Sequence, residues 1–384
     1  MSAPLDRISS VVAVAARHAE EVDRVARFPF EAFAALKDAR LLSLLIPVEF
    51  GGDGARLAEV AEVCSALGQH CASTAMIFAM HQIKVSSLVS YGAETDWGKR
   101  FLRRISDEQL LLASATTEGG VGGNMRASVC AFEREGSDFR VEKRGALISY
   151  GAQADAILVT ARRAPDAAAS DQLMAAITKD QYTLSRTGVW DTLGMRGTCS
   201  DSFILTAKAP TEQILGADFA EIAAQSMLAT AHLLWGSVWY GVAVDALVRA
   251  QNFVRAEARK GGGGLPPGAL RLAEASTKAE AMRAALKEGL ARFECAQENH
   301  EDLNSMSFGV RFNNLKTFAS ETAIDIINHA LLITGISGYR NDSPHSVGRH
   351  MRDALSARIM ISNDRIYQNL SNMLLAHRLD PRLS

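Results

Sequence analysis

Hydrophobic periodicity changes twice along this chain, and those two changes constrain its architecture more than any single motif. Residues 1–110 repeat apolar side chains every three or four positions, in RFPFEAFAALKDARLLSLL and again in GARLAEVAEVCSALGQHCASTAMIFAMHQIKVSSLVSYG. That is the spacing of one helical face. Between these stretches IPVEFGGDG reads as a loop, punctuated by Pro47, Gly51 and Gly52. Residues 111–215 carry short β-branched or alternating runs, LLLASATTE, VCAFEREGSDFRVEKRGALIS, ADAILVTARR, QLMAAITKD and DSFILTAKAP, separated by Gly, Asp and Ser. From 216 the helical period returns in four long segments, the last beginning at HSVGRHMRDALSARIM. RHMRDALSARIMISNDRIYQNL (349–370) reads as one continuous helix. The expected fold is therefore α+β: an N-terminal α-helical domain (1–110), a middle antiparallel β-domain (111–215) and a C-terminal four-helix bundle (216–384).

Composition narrows the partners. A formal net charge of -2 argues against nucleic acid or an anionic membrane surface, because both select a basic face. The strongest apolar run, LLSLLIPV (41–48), falls short of the roughly 20 residues a membrane helix needs and is broken by Pro47. MSAPLDRISS lacks a charged-then-apolar signal pattern, and Cys64, Cys71, Cys130, Cys199 and Cys295 form no close C-x-x-C pairs. A cytoplasmic chain with reduced thiols is expected. The nine histidines show no H-E-x-x-H spacing, so no metal site is expected.

Three turn-rich segments are the places where chemistry is expected. TTEGGVGGNMR (116–126) is a Gly-rich loop after a strand, whose free backbone N–H groups suit an anionic or electron-rich ligand. WDTLGMRGTCSDSFIL (190–205) leads into a strand, and ITGISGYRNDSP (333–344) follows a helix. None has the spacing of a Rossmann fingerprint or a Walker loop.

Together these segments resemble the acyl-CoA dehydrogenase family over nearly the whole chain. FAALKDARLLSLLIPVEFGGDG is similar to the family's N-terminal region, and ATTEGGVGG stands where the family has T-E-P-G-x-G-S. LGMRGTCSDS parallels L-G-M-R-G-T-x-S-D, and GISGYRNDSPHSVGRHMRDA parallels G-G-x-G-Y followed by the R-D-A helix. The resemblance implies FAD as cofactor, a homodimer or homotetramer, and an acyl thioester substrate carried on CoA or a carrier protein. It also implies a flavin electron acceptor or reductase as redox partner.

The same resemblance assigns residues. Thr117 would bond the pyrimidine edge of the flavin, with Ala115 and Thr116 lining the ring by backbone. Leu147 and Ser149 occupy the positions of the family's W-I-T, whose hydroxyl reaches flavin N5. Gly335, Ile336, Ser337 and Gly338 would lie against the adenosine diphosphate part of FAD from the neighbouring subunit. Asn363 stands where a Thr usually contacts the cofactor. Arg259 or Arg271 would replace the arginine of the family's R-x-x-F-G segment, beside four glycines (261–264) read as a loop that orders with the cofactor. Donors at N5, N1 and O2 are what a reduced, anionic flavin requires.

At the catalytic base the resemblance breaks. The Glu of the family's Y-E-G-T falls on Ile361, and the helix Glu used by a minority falls on Ala231, followed by His232 where Arg is common. Leu147 replaces the Trp beside the flavin, and Gly123 replaces a loop Ser that contacts substrate. Asp364, one expected helical turn past Ile361, and His232 are the local titratable candidates. An FAD-dependent dehydrogenase of the CH–CH group of an acyl thioester is the preferred reading. One alternative is a flavin-dependent monooxygenase on the same fold, which needs no α-proton abstraction. Ser149 and the Asn363–Asp364 pair match that branch, while Met360 stands where some of its members carry His. The other alternative is a non-catalytic flavin-binding homologue.

Overall fold

The structure, a computed structural model, describes residues 4–120, 124–260, 265–298 and 300–379. Gly123 and the four glycines 261–264 lie outside the described residues. Five helices come first: α1 (Pro4–Val25), α2 (Phe30–Asp38), α3 (Leu57–Gly68), α4 (Ala72–Gly92) and α5 (Asp96–Glu108). Thr95 caps α5 by accepting the Gly98 N–H at 3.0 Å, satisfying one of the donors a helix start leaves open. Seven strands follow: β1 (Leu112–Ala115), β2 (Glu133–Glu135), β3 (Asp138–Gly145), β4 (Ala156–Arg162), β5 (Gln172–Thr178), β6 (Tyr182–Gly188) and β7 (Ser202–Pro210). Helices resume with α6 (Phe219–Ile222), α7 (Leu228–Lys260), α8 (Ala269–Gln297), α9 (His300–Leu303), α10 (Met306–Thr334), α11 (Ile336–Tyr339), α12 (Gly348–Leu355) and α13 (Asn363–Ala376). The fold is α+β, with helical ends around a β-rich middle.

The chain separates into two compact units, residues 1–60 with 76–192 and 196–231, and residues 61–75 with 193–195 and 232–384. In the first, β4 and β5 are buried on both faces, which is why AILVTA and QLMAAIT read as unbroken apolar runs. They form a three-stranded sheet in the order β1-β4-β5. Its core includes Val85, Leu88, Phe101, Leu112, Leu158 and Ile222. A second sheet, in the order β2-β3-β7-β6, buries alternate residues of β3 against the interior. One pairing departs from the antiparallel expectation: β1 runs parallel to β4, Leu112 opposite Ala156, because forty residues cross over between them. β6 (YTLSRTG) was not expected either, because most of its side chains face solvent and it carries no apolar alternation.

The second unit contains α8, α10, α12, α13 and α7 from His232 onward. Close packing of α3 on α7 relies on glycine. A Cβ at Gly241 would sit 2.2 Å from the Ser65 carbonyl oxygen, and one at Gly68 would sit 2.6 Å from that of Val238. Gly241→Ala is expected to cost about 1–3 kcal/mol through overpacking. A denaturant midpoint unchanged by the substitution would show that the two helices have room to separate.

The stretch 349–370 is not one helix. α12 ends at Leu355, a 3₁₀ turn covers Ser356–Arg358, and α13 begins at Asn363. Between them Ile361 takes φ +54°, a left-handed conformation that a β-branched side chain rarely adopts. Asp364 therefore does not share a helical face with Ile361, and that argument for it fails. The apolar-run expectation also needs correcting, since Phe219–Lys260 is a 42-residue helical stretch with a window of mean hydropathy 1.3, long and apolar enough to cross a bilayer. Seventy-two per cent of that window is buried inside the protein, as in a core helix.

Candidate functional site

In the first unit the two segments assigned to the flavin meet. The Thr117 hydroxyl donates to the Leu147 carbonyl at 3.1 Å, tying the loop after β1 to the loop after β3. The 147–150 segment is pinned to the LGMRGTCSDS segment by Ile148 N–H to the Asp201 carbonyl (2.9 Å) and Tyr150 N–H to the Thr198 carbonyl (2.8 Å). Tyr150 is buried, holds φ +44°, and donates its hydroxyl to the Leu112 carbonyl at 2.9 Å. Behind Ser149 runs a chain of hydroxyls. Thr198 and Ser200 are 2.8 Å apart, and Ser200 donates to Ser149 at 2.8 Å. Ser149 therefore accepts from within the protein and gives its own proton to no described group.

β1 is an edge strand, and its outward amide groups continue the same surface. At Leu112 they are satisfied, by His81 Nδ1 and by Tyr150. By two-residue alternation Ser114 turns its own to the same edge, while Ala115 is buried. The loop is anchored by a residue the sequence reading passed over. Glu118 is buried and accepts from the Val129 and Cys130 N–H groups (3.0 and 2.9 Å) and the Ser128 hydroxyl (2.8 Å), with Lys143 Nζ at 3.4 Å. Burial alone would raise its pKa, but Lys143 and these hydrogen bonds hold the carboxyl below its ordinary range.

In the second unit the turn 356–363 is built around Lys316. Its buried ammonium donates to the Ala357 carbonyl (3.0 Å), the Ile361 carbonyl (2.6 Å) and Asn363 Oδ1 (2.6 Å). Burial pushes its pKa down to about 8 despite Glu321 nearby. Asn363 Nδ2 donates in turn to Ser320 Oγ (3.0 Å) and Glu321 Oε1 (2.9 Å), and Glu321 also pairs with Arg358. The side-chain amide of Asn363 is thus spent inside the bundle. The Ile361 side chain packs against Val310, Ile366 and Leu370. Asp364 is exposed in the first turn of α13, where a carboxylate favours the helix dipole.

His232 is different. It is 3% exposed, Nδ1 lies 3.1 Å from the Phe312 carbonyl, and Nε2 has no partner among the described residues. Since only Nδ1–H can donate to a carbonyl, the neutral ring leaves a bare lone pair on Nε2. Burial, then Lys316, lowers its pKa to about 4, so the ring is neutral at physiological pH. Ala231 beside it is buried.

The segment 333–344 holds the remaining assigned residues. Gly335 closes α10 at φ +56° and ψ -134°, a conformation reserved for glycine. Ser337 bonds Ser343 at 3.0 Å, Gly338 is too close to Thr334 for any Cβ, and Ile336 is 74% exposed. Arg259 and Arg271 are exposed on α7 and α8. The LGMRGTCSDS motif is joined directly to the R-D-A helix α12, since Asp353 Oδ1 accepts the Met195 N–H at 2.6 Å and a Cβ at Gly194 would strike the Arg352 carbonyl. Among the described residues no three His, Cys, Asp or Glu side chains group as metal ligands.

Residues 9–109 match the acyl-CoA dehydrogenase N-terminal domain, and residues 222–366 match the C-terminal domain. The chain belongs to the acyl-CoA dehydrogenase family. Among the relatives of this family member is a cyclohex-1-ene-1-carbonyl-CoA dehydrogenase from Syntrophus aciditrophicus, 27% identical over 91% of this chain and 83% of the relative. Among solved structures, FMN-bound TdsC, a dibenzothiophene monooxygenase from a Paenibacillus species, superposes with TM-score 0.86 at 21% identity, covering 98% of each chain. Butyryl-CoA dehydrogenase from Megasphaera elsdenii superposes with TM-score 0.81 at 19% identity, also over 98% of each. These structural likenesses speak for the fold.

The first unit fits the flavin that the family implies. An uncommitted hydroxyl proton on Ser149, an open strand edge and the 45%-exposed Leu147 side chain together suit the polar rim and apolar face of such a ring. Ser200 and Thr198 were missed because they reach this surface only through their hydrogen bonds to Ser149. The Thr-x-Ser alternation in GTCSDS was the available signal.

Proposed function

We propose that this family member is an FAD-dependent oxidoreductase of the CH–CH group of an acyl thioester, with His232 as proton acceptor in place of the usual carboxylate. The observation that carries the reading is the buried, tautomer-locked imidazole whose Nε2 has no partner. That nitrogen is one of twelve buried side-chain atoms without a partner among the described residues, and a catalytic role is one of the reasons such atoms persist. FAD, when bound, supplies the acceptor for the β-hydride. Ser149, with its free proton, Thr117 and the β1 edge would hold the ring's polar atoms, and Leu147 would supply apolar contact. Gly335, Ile336, Ser337 and Gly338 receive the adenosine diphosphate of a neighbouring subunit in a cytoplasmic homodimer or homotetramer. His232 takes the α-proton at Nε2 while Phe312 keeps its other nitrogen protonated. The new cation is opposed by Lys316, so this chemistry is slow beside that of a carboxylate. Relatives named for acyl-CoA dehydrogenation support the substrate class.

Two outcomes test this. Ser149→Ala is expected to weaken flavin binding about tenfold, the value of one hydrogen bond; an unchanged dissociation constant measured by fluorescence would remove Ser149 from the site. Acyl-CoA added without oxygen is expected to bleach bound flavin. The second reading, a flavin-dependent monooxygenase, is favoured by one observation, the apolar side chains at 361 and 231. It requires flavin that stays oxidised until a reductant is supplied.

A further inference from the structure

A second buried amine has no role in the chemistry above. Lys84 lies in α4, is 7% exposed, and has no hydrogen-bond or ion-pair partner among the described residues. No acidic residue lies in α4 or in residues 223–231. The face it occupies is fixed by neighbours one and two turns on. Ser87 meets Ser226 at 3.1 Å, and the Tyr91 hydroxyl donates to Gln225 at 2.9 Å. Lys84, Ser87 and Tyr91 are spaced i, i+3 and i+7, so they share one stripe of α4. Opposite them the chain runs the other way, through a π-turn at Ala223–Met227 and into α7. Ser226 and Thr230 are spaced i, i+4, so stepping back from Ser87 to Lys84 leads toward Thr230.

Thr230 is 0% exposed, and its hydroxyl likewise has no partner among the described residues. By this register the two unpartnered polar groups belong to neighbouring turns beyond the Ser87–Ser226 contact. π-turns of this kind recur at functional sites. A primary amine on a residue 7% exposed and a fully buried hydroxyl, both donors, fit a carboxylate.

We propose that Lys84 and Thr230 form a carboxylate-binding subsite that selects acyl groups ending in a second carboxylate. This rests on the acyl-thioester reading of the function. Without a bound anion, burial holds the Lys84 amine at a pKa of about 7. A carboxylate there restores its charge, so ligand and proton bind together.

The test compares adipoyl-CoA with hexanoyl-CoA, acyl chains of equal length, by perturbation of the flavin spectrum in the flavin-loaded protein. Wild type is expected to bind adipoyl-CoA at least tenfold more tightly. Lys84→Met is expected to abolish or reverse that preference, and Thr230→Val to reduce it. Hexanoyl-CoA binding with no adipoyl preference overturns the subsite alone, whereas failure of both thioesters to bind overturns the acyl-thioester reading and the subsite with it. Folding of the variant is checked by melting. Because the folded pKa lies below the unfolded 10.5, Lys84 destabilises fully below about pH 7, and the penalty is relieved as pH rises from there toward 10.5. Lys84→Met should therefore melt higher than wild type, by a larger margin in acid than in alkali. An equal margin at both ends would show that Lys84 is solvated and overturn its assignment.

Discussion

His232→Gln is expected to slow anaerobic flavin reduction by an acyl thioester about 10²-fold or more, within the usual worth of a general base. Glutamine is the informative replacement. Its amide can still donate to the Phe312 carbonyl that now sits 3.1 Å from Nδ1, so the surrounding helices keep their contact. It cannot accept a proton from carbon. The pH profile gives an independent sign. His232 is the active form when neutral, and its pKa is lowered to about 4 by burial and by Lys316. Wild-type rates should hold as pH falls through the usual imidazole range and drop only as it approaches 4. A loss centred near the ordinary histidine value, about 6.5, would mean that another group is the base.

Lys316→Met should be the most destabilising single change in the bundle. Replacing both members of a buried polar pair with apolar groups can be nearly neutral, but here only the donor is removed. Two carbonyls and the Asn363 side-chain oxygen, at 2.6 to 3.0 Å, would lose the ammonium that satisfies them. The expected cost is about 3–5 kcal/mol. Melting should fall by at least about 5 °C. The turn 356–363 should loosen with it, because the left-handed Ile361 is retained by the same ammonium through its carbonyl. Hydrogen exchange at 357–363 indistinguishable from wild type would show that the turn holds itself.

These residues also show what the sequence could and could not reveal. Helical and strand textures were legible because apolar spacing is set locally, and β3, β4, β5 and β7 fall inside the runs that displayed it. The break at Ile361 was not legible. Locally the stretch keeps helical spacing, and the carbonyls that interrupt it are captured by Lys316, 41 to 45 positions away in the chain. Ser149 was named through the family resemblance, whereas Ser200 and Thr198, which bond in series behind it, were not. Asn363 was assigned to the cofactor from its register, but its side chain turned inward to Lys316, Ser320 and Glu321. Lys84 left one trace, the single lysine of MIFAMHQIKVSSLV, a stretch with no acidic residue to pair with it.

Solvent-deuterium exchange at the acyl α-carbon tests most directly whether proton transfer has passed from a carboxylate to an imidazole. With flavin-loaded protein and a saturated acyl-CoA in D₂O, without oxygen, wild type should wash deuterium into the α-position, and His232→Gln should not. Equal incorporation by both proteins, or none by wild type, would contradict the assignment.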